Sequence, residues 1–199
     1  MEGLDFTSKP GETPLDDISG LIPGHIRTRE ALNRAEFENN NRAAAKYFLG
    51  TFNRRKAPFT AEWFKKLHKE MFGEVWRWAG EFRRSEKNTG VRAYQIGEKL
   101  HELIYDMSRW EKESRPPVEA AARIHHRLAW VHPFENGNGR WARMAVDIYL
   151  LKNSGRKLRW PVDTGFIEDS FRAEYIEALK AADAGELGLM IALHEKYSK

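Results

Sequence analysis

The sequence predicts an all-α fold, a helical bundle with one small β-hairpin, and three observations carry that expectation. Apolar residues recur at spacings of three and four in seven separate stretches. Threonine, proline and glycine punctuate the chain where those stretches begin and end. A single segment, 81 to 96, departs from the helical repeat towards a shorter one. At 199 residues, with 41% hydrophobic and 12% aromatic content, the chain is long and apolar enough for one domain with a substantial core.

The elements follow in order. Residues 1–27 carry Lys9-Pro10-Gly11, Thr13-Pro14 and Ile22-Pro23-Gly24, too many breakers for a helix, and read as an extended arm over the domain. Thr28 caps a helix over 28–50 in which Leu32, Glu36, Ala43 and Tyr47 share a face, and Gly50 offers a stop. Thr60 caps a second helix, with Trp63, Phe64, Leu67 and Met71 as its apolar stripe, ending at Gly73. From Glu81 to Ile96 the run Phe82, Asn88-Thr89-Gly90, Val91, Tyr94 predicts a short hairpin turning at the Asn and Gly. Helices are then expected over about 97–113, 118–131 after Pro116-Pro117, from Gly137-Asn138-Gly139 to Ser154-Gly155, over 168–182 and over 186–197. No internal repeat or low-complexity segment is evident.

Composition narrows the function. No run approaches the roughly eighteen apolar residues of a membrane span, and the first thirty residues lack a basic start followed by an apolar stretch. Absence of cysteine excludes disulfides and thiolate metal sites, which together with the missing signal sets the expectation of a cytoplasmic protein with no membrane partner. The net charge of +4 is spread among Glu and Asp rather than gathered into a basic tract, so direct nucleic-acid binding is not the expected function.

One segment carries chemistry: His132-Pro133-Phe134-Glu135-Asn136-Gly137-Asn138-Gly139-Arg140-Trp141-Ala142-Arg143, between two amphipathic helices. Gly137 and Gly139 allow a tight turn and close approach of a ligand, and the helix that follows presents unpaired N–H groups and the positive end of its dipole. Arg140 and Arg143, three apart, are expected to reach the same side and clamp phosphate oxygens, with Asn138 as a neutral donor. His132 would stand at the mouth of this anion cradle, where an imidazole of ordinary pKa near 6.5 can take a proton from an attacking hydroxyl. Taken singly, each part has an ordinary use: a capping histidine, turn residues, solvated arginines. Their assembled order is what points to phosphate chemistry.

That order resembles the signature of the Fic family, in which His-Pro-Phe is followed by two residues, Gly-Asn-Gly-Arg, two more, and Arg. The run Leu67-His68 to Met71-Phe72-Gly73 and the run Trp76-Arg77-Trp78-Ala79-Gly80-Glu81-Phe82-Arg83 are also similar to the family, so that 28–199 looks like a Fic-type helical domain with a core at about 59–158. The whole chain, arm included, looks like the subgroup called mobile mystery protein B. The resemblance implies a protein adenylyltransferase that moves AMP from ATP to a hydroxyl of a target protein. It implies His132 as general base, Asn138 and Arg140 on the nucleotide's phosphates, Arg143 on the terminal phosphate, and Gly137 and Gly139 shaping the anion hole. It further implies Mg2+ or Mn2+ as cofactor, segment 81–96 as a flap docking an as yet unnamed target protein, and a small helix-turn-helix companion.

Two departures qualify these expectations. Asn136 stands where the family has Asp or Glu for the metal; an amide offers a carbonyl oxygen without charge, so a weaker metal site is expected. The family's inhibitory motif has no clean match. Glu38-Asn39 fits its end but has Arg34 where a hydroxyl belongs, whereas Glu36 lies on the more apolar face and is the expected acid restraining Arg143, with Glu38 second. Other readings stay open: transfer of a different phosphate-linked group, or a nucleotide-binding regulator without turnover in which Asn136 marks lost metal chemistry.

Overall fold

The computed structural model describes residues 6, 17–50, 56–163, 166–167 and 169–198, and for those between 162 and 169 the backbone alone. Most of the expected N-terminal arm, 1–5 and 7–16, lies outside the described residues. Seven helices are found among the described residues: α1 Arg29–Phe48, α2 Ala61–Phe72, α3 Ile96–Lys112, α4 Pro117–Val131, α5 Asn138–Ser154, α6 Asp169–Asp183 and α7 Gly188–Tyr197. The helical bundle is therefore as the sequence reads.

The helix starts have local causes. The Thr28 hydroxyl accepts from the Ala31 N–H at 3.2 Å and the Thr60 hydroxyl from the Trp63 N–H at 3.1 Å, each satisfying a donor that the first turn leaves free. Pro117 opens α4, where its missing N–H costs nothing. Helices α4 and α5 pack most extensively and form the centre of the molecule; α1 lies on α2, and the α6–α7 pair lies on α4. The main core gathers Phe64, Leu67, Phe72, Trp76, Leu100, Leu128, Phe134 and Trp141, and a smaller core under α6 and α7 gathers Ala122, Phe171, Tyr175 and Met190. Trp160 packs against both.

Two polar anchors fix α1 against α2. Asn39, buried in the interface, donates to the Glu70 carbonyl at 2.9 Å and accepts from the Glu74 N–H at 3.0 Å, while the Tyr47 hydroxyl donates to the Glu70 carboxylate at 2.8 Å. The buried stripe of α1 is Leu32, Glu36, Asn39, Ala43 and Tyr47, so a carboxylate is carried inward by a helix registered at both flanks. The described part of the arm, 17–27, carries turns at 19–20 and 24–25 and is tied to the loop after α2. Leu21 bridges Trp76, the Ile22 N–H donates to the Val75 carbonyl at 2.8 Å, and the Arg77 N–H to the Gly20 carbonyl at 2.9 Å.

The hairpin expectation is corrected. Segment 81–96 forms no strand pair; it is an irregular loop closed by a 3₁₀ turn at Ala93–Gln95. The reason is Arg83, almost wholly buried, whose guanidinium donates to the carbonyls of Ser85 at 2.8 Å, His132 at 2.7 Å and Val91. One side chain thus uses up carbonyls that a ladder would need. The described strand pair lies elsewhere, Val162–Asp163 antiparallel to Phe166–Ile167, just before α6.

Candidate active site

The loop from 132 to 137 joins the two central helices, and its shape follows from a few buried contacts. His132 ends α4 in the left-handed region, φ 50° and ψ 58°, an unfavourable conformation for a residue with a Cβ. The Arg83 bond to its carbonyl and a second one, Arg83 N–H to the Pro133 carbonyl at 2.9 Å, hold it there. Gly90 comes so close that a Cβ on it would meet the His132 Cβ at 2.5 Å, so loop 81–96 lies directly over His132. Burial, then the Arg83 guanidinium, pushes the imidazole down to about 4, against an opposing hydrogen bond to the Ala129 backbone. His132 is consequently neutral at pH 7, the form a base needs.

Phe134 is the loop's buried anchor, stacked on His68 at 3.7 Å between ring centroids. His68 has a definable tautomer: its Nδ1 accepts from the Gly80 N–H at 3.0 Å, so Nε2 carries the proton and donates to the Asn136 carbonyl at 3.1 Å. Burial, offset in part by that bond, drives it down to about 3 and keeps it neutral. The Asn138 amide, buried, accepts from the Phe134 N–H at 2.9 Å and donates to the Phe134 carbonyl at 2.8 Å. The Asn138 side chain, expected to bind phosphate, clamps the loop here, its oxygen and one amide hydrogen engaged by the Phe134 backbone.

What remains for an anion is the helix end itself. The Trp141 N–H is the first in α5 to find a carbonyl, Gly137 at 3.0 Å, and no side chain caps the helix, so the N–H groups of Asn138, Gly139 and Arg140 point outward. Gly137 and Gly139 differ in their reasons. Gly137 has φ 79° and a Cβ there would strike the Phe72 ring at 2.6 Å, so the protein itself requires glycine. At Gly139 a Cβ would meet only Arg143 Nη1, at 3.7 Å; space is left above the helix turn, edged by a guanidinium.

The two arginines do not share a side, contrary to expectation. Arg140 donates to the Glu36 carboxylate at 2.7 Å and lies over the Phe72 ring at 4.8 Å. Arg143 turns to α6 and lies over the Tyr175 ring at 5.7 Å. Restraint of Arg143 by Glu36 is therefore corrected: the carboxylate, 3% exposed as a residue, also accepts from Trp76 Nε1 at 2.6 Å and needs a cation on the α1 side of the site, where only the first arginine reaches. Among the described residues no carboxylate lies at ion-pair distance from Arg143, which is deeply buried. Asp147, the nearby acid, is pushed up to about 7 by burial and spends its Oδ1 on the Leu158 N–H and Trp160 Nε1, both at 3.2 Å. Glu38 is exposed, away from the site.

The residues do not fit a protein-held metal ion. Asn136 Oδ1 accepts from the Gly137 N–H at 2.6 Å, and Glu135 is turned to loop 81–96, bonded to Ser85 at 2.9 Å and Lys87 at 2.9 Å. Among the described residues no group of three His, Cys, Asp or Glu could hold a metal. Arg83, His68, Trp76 and Glu36's true partner Arg140 are what the motif alone did not assign. Arg83 and Trp76 stand in the run quoted above, but nothing in their spacing tells which backbone carbonyl or carboxylate they reach.

A left-handed His132 ahead of an uncapped helix N-terminus, with the buried Arg143 beside that helix's first turn, lies between the two central helices of the domain. Residues 58–150, just under half of the chain, match the model of the Fic/DOC family. Protein adenylyltransferase fic-1 of Caenorhabditis briggsae is 30% identical over 125 residues, 61% of this chain and 23% of the relative. Protein adenylyltransferase Fic of Aedes aegypti is 27% identical over 172 residues, 81% and 33%. The chain thus spans about a quarter to a third of these curated relatives. Two solved structures share the fold: Fic-1 (aa134–508) from C. elegans, TM-score 0.69, 24% identity, covering 89% of this chain and 51% of that one, and BepC from Bartonella tribocorum with bound AMPPNP, TM-score 0.69, 20% identity, covering 93% and 95%. Among the described residues no helix is long and apolar enough to cross a membrane.

Proposed function

We propose that this chain is a protein adenylyltransferase that uses ATP, restrained by its own α1. The observation that carries the reading is a neutral His132 on the short loop that leads into the uncapped start of α5, where Gly139 leaves room beside Arg143. The names of the relatives and the AMPPNP bound by BepC support ATP as the nucleotide. In the step proposed, His132 takes the proton of a target hydroxyl as its oxygen attacks the α-phosphorus. The new O–P bond forms, the bond to the β-phosphate oxygen breaks, and pyrophosphate leaves with the electron pair. The backbone N–H groups of 138–140 and the Arg143 guanidinium match the charge on the phosphates. Loop 81–96, seated on His132, is the surface along which the target docks. A metal has no place among the protein's ligands in this scheme, and the cytoplasm is the compartment we assign to the reaction.

Labelled ATP tests it. Transfer of label to protein that disappears in His132→Ala, with nucleotide binding retained, supports the enzyme; binding with no transfer by the wild type supports the regulator. The second reading is favoured by Asn136, whose side-chain oxygen is spent on Gly137.

A further inference from the structure

Behind Arg143 lies a buried polar chain that the scheme above leaves unused. Tyr175 of α6 is 8% exposed, and His125 of α4 and His194 of α7 are at 0%. The distances are 3.2 Å from the Tyr175 hydroxyl to His125 Nε2, 3.1 Å from His125 Nδ1 to His194 Nε2, and 2.7 Å from His194 Nδ1 to the Met190 carbonyl.

The proton positions follow by elimination. A carbonyl only accepts, so His194 Nδ1 carries the hydrogen and, in a neutral ring, Nε2 accepts. His125 Nδ1 is then the donor to it, His125 Nε2 the acceptor, and the Tyr175 hydroxyl must donate. Every ring nitrogen is satisfied in one direction only. Burying three polar rings is favourable only when each is paired, and a hydrocarbon filling would carry no such requirement. The chain ends on the ring over which the Arg143 guanidinium lies, and that guanidinium has no carboxylate at ion-pair distance among the described residues.

We propose that Tyr175, His125 and His194 are positioning residues for Arg143, so that α6 and α7 help to build the part of the cradle that takes the outer phosphates of a nucleotide. The relay fixes the tilt of the Tyr175 ring; the ring fixes the guanidinium beside Gly139. This rests on the nucleotide reading given above.

The test is calorimetric binding of a β,γ-imido ATP analogue and of AMP to the full chain, with melting temperature measured alongside. Tyr175→Phe keeps the ring and removes the hydroxyl; it is expected to weaken the analogue about fivefold while AMP binding stays unchanged. His125→Gln should act in the same direction. His126→Gln, on the same helix but facing Asp183, is the control expected to leave the ratio alone. If His125→Gln does not fold, Tyr175→Phe decides alone. A lowered melting temperature with an unchanged analogue-to-AMP ratio makes the relay merely structural and overturns the proposal. Equal weakening of both ligands overturns it as well. Absence of any nucleotide binding by the wild type instead refutes the nucleotide reading, and the relay's role with it.

Discussion

At Gly139 two demands on one residue can be separated. Glycine inside a helix costs roughly 0.5–1 kcal/mol relative to alanine, and a methyl group here meets nothing closer than the Arg143 guanidinium at 3.7 Å. Gly139→Ala should therefore leave the melting temperature unchanged or raise it. If the space above the turn is where phosphate approaches, the same variant should lose ATP-analogue affinity by about tenfold or more, since the methyl occupies that approach. A variant both stable and fully competent in binding would mean that the ligand lies elsewhere. Asn136 permits a comparable separation. With its oxygen tied to the Gly137 N–H and the neighbouring Glu135 carboxylate engaged by Ser85 and Lys87, replacing Mg2+ by EDTA should change analogue affinity less in the wild type than in Asn136→Asp, where a charge is introduced. Titrations of both proteins with and without the cation check this. The motif made His132 and the glycines legible in the sequence. The clamp by Asn138 was not, because an amide that holds a backbone and one that holds a phosphate are written with the same letter.

Among the elements, α1 and the strap before it act as one unit. Strap residues 20–22 pair with 75–77, Trp76 donates to Glu36, and Glu36 holds Arg140 in an ion pair. Glu36→Gly should free that guanidinium and raise automodification with labelled ATP several-fold. It should also lower stability, by about 1 kcal/mol for glycine within a helix and about 1–3 kcal/mol for the indole N–H of Trp76 left without an acceptor. Unchanged labelling in a folded Glu36→Gly protein would remove α1 from any inhibitory role. Helix boundaries were legible because Thr28, Thr60 and Pro117 act within one turn. Segment 81–96 misled because alternation predicts a strand only if the carbonyls are free for a partner, and Arg83, near its start, takes those of Ser85 and Val91. The real ladder, two residues a side, is too short for any periodicity to reveal.

Across the whole molecule, the buried histidines set how stability depends on pH. Unfolded histidines titrate near 6.5. In the folded protein burial is the first cause that pushes His68 to about 3, His132 to about 4, His194 to about 4 and His125 well below its ordinary value. Above pH 6.5 these rings are neutral in both states and their contribution to stability is complete. As the pH falls through 6.5 the unfolded chain gains protons that the folded one refuses, so stability is lost progressively towards about 4. Asp147 acts in the opposite sense: raised by burial to about 7, it keeps its proton in the fold where the unfolded carboxyl, at 3.8, has released it, so acidification from 7 favours the fold at this one site. Four histidines against one aspartate leave roughly three protons taken up on unfolding near pH 5.3. The urea midpoint should accordingly drop steeply between pH 6.5 and 4.5 and flatten above 7, which chemical denaturation across that range will show. Two of the four histidines belong to the Tyr175 relay, where an added proton turns the Tyr175 hydroxyl from donor to acceptor and places a charge among fully buried rings. The α6–α7 pair should therefore lose amide-exchange protection at a higher pH than the centre of α5, and simultaneous loss in both would show that the relay does not set the order.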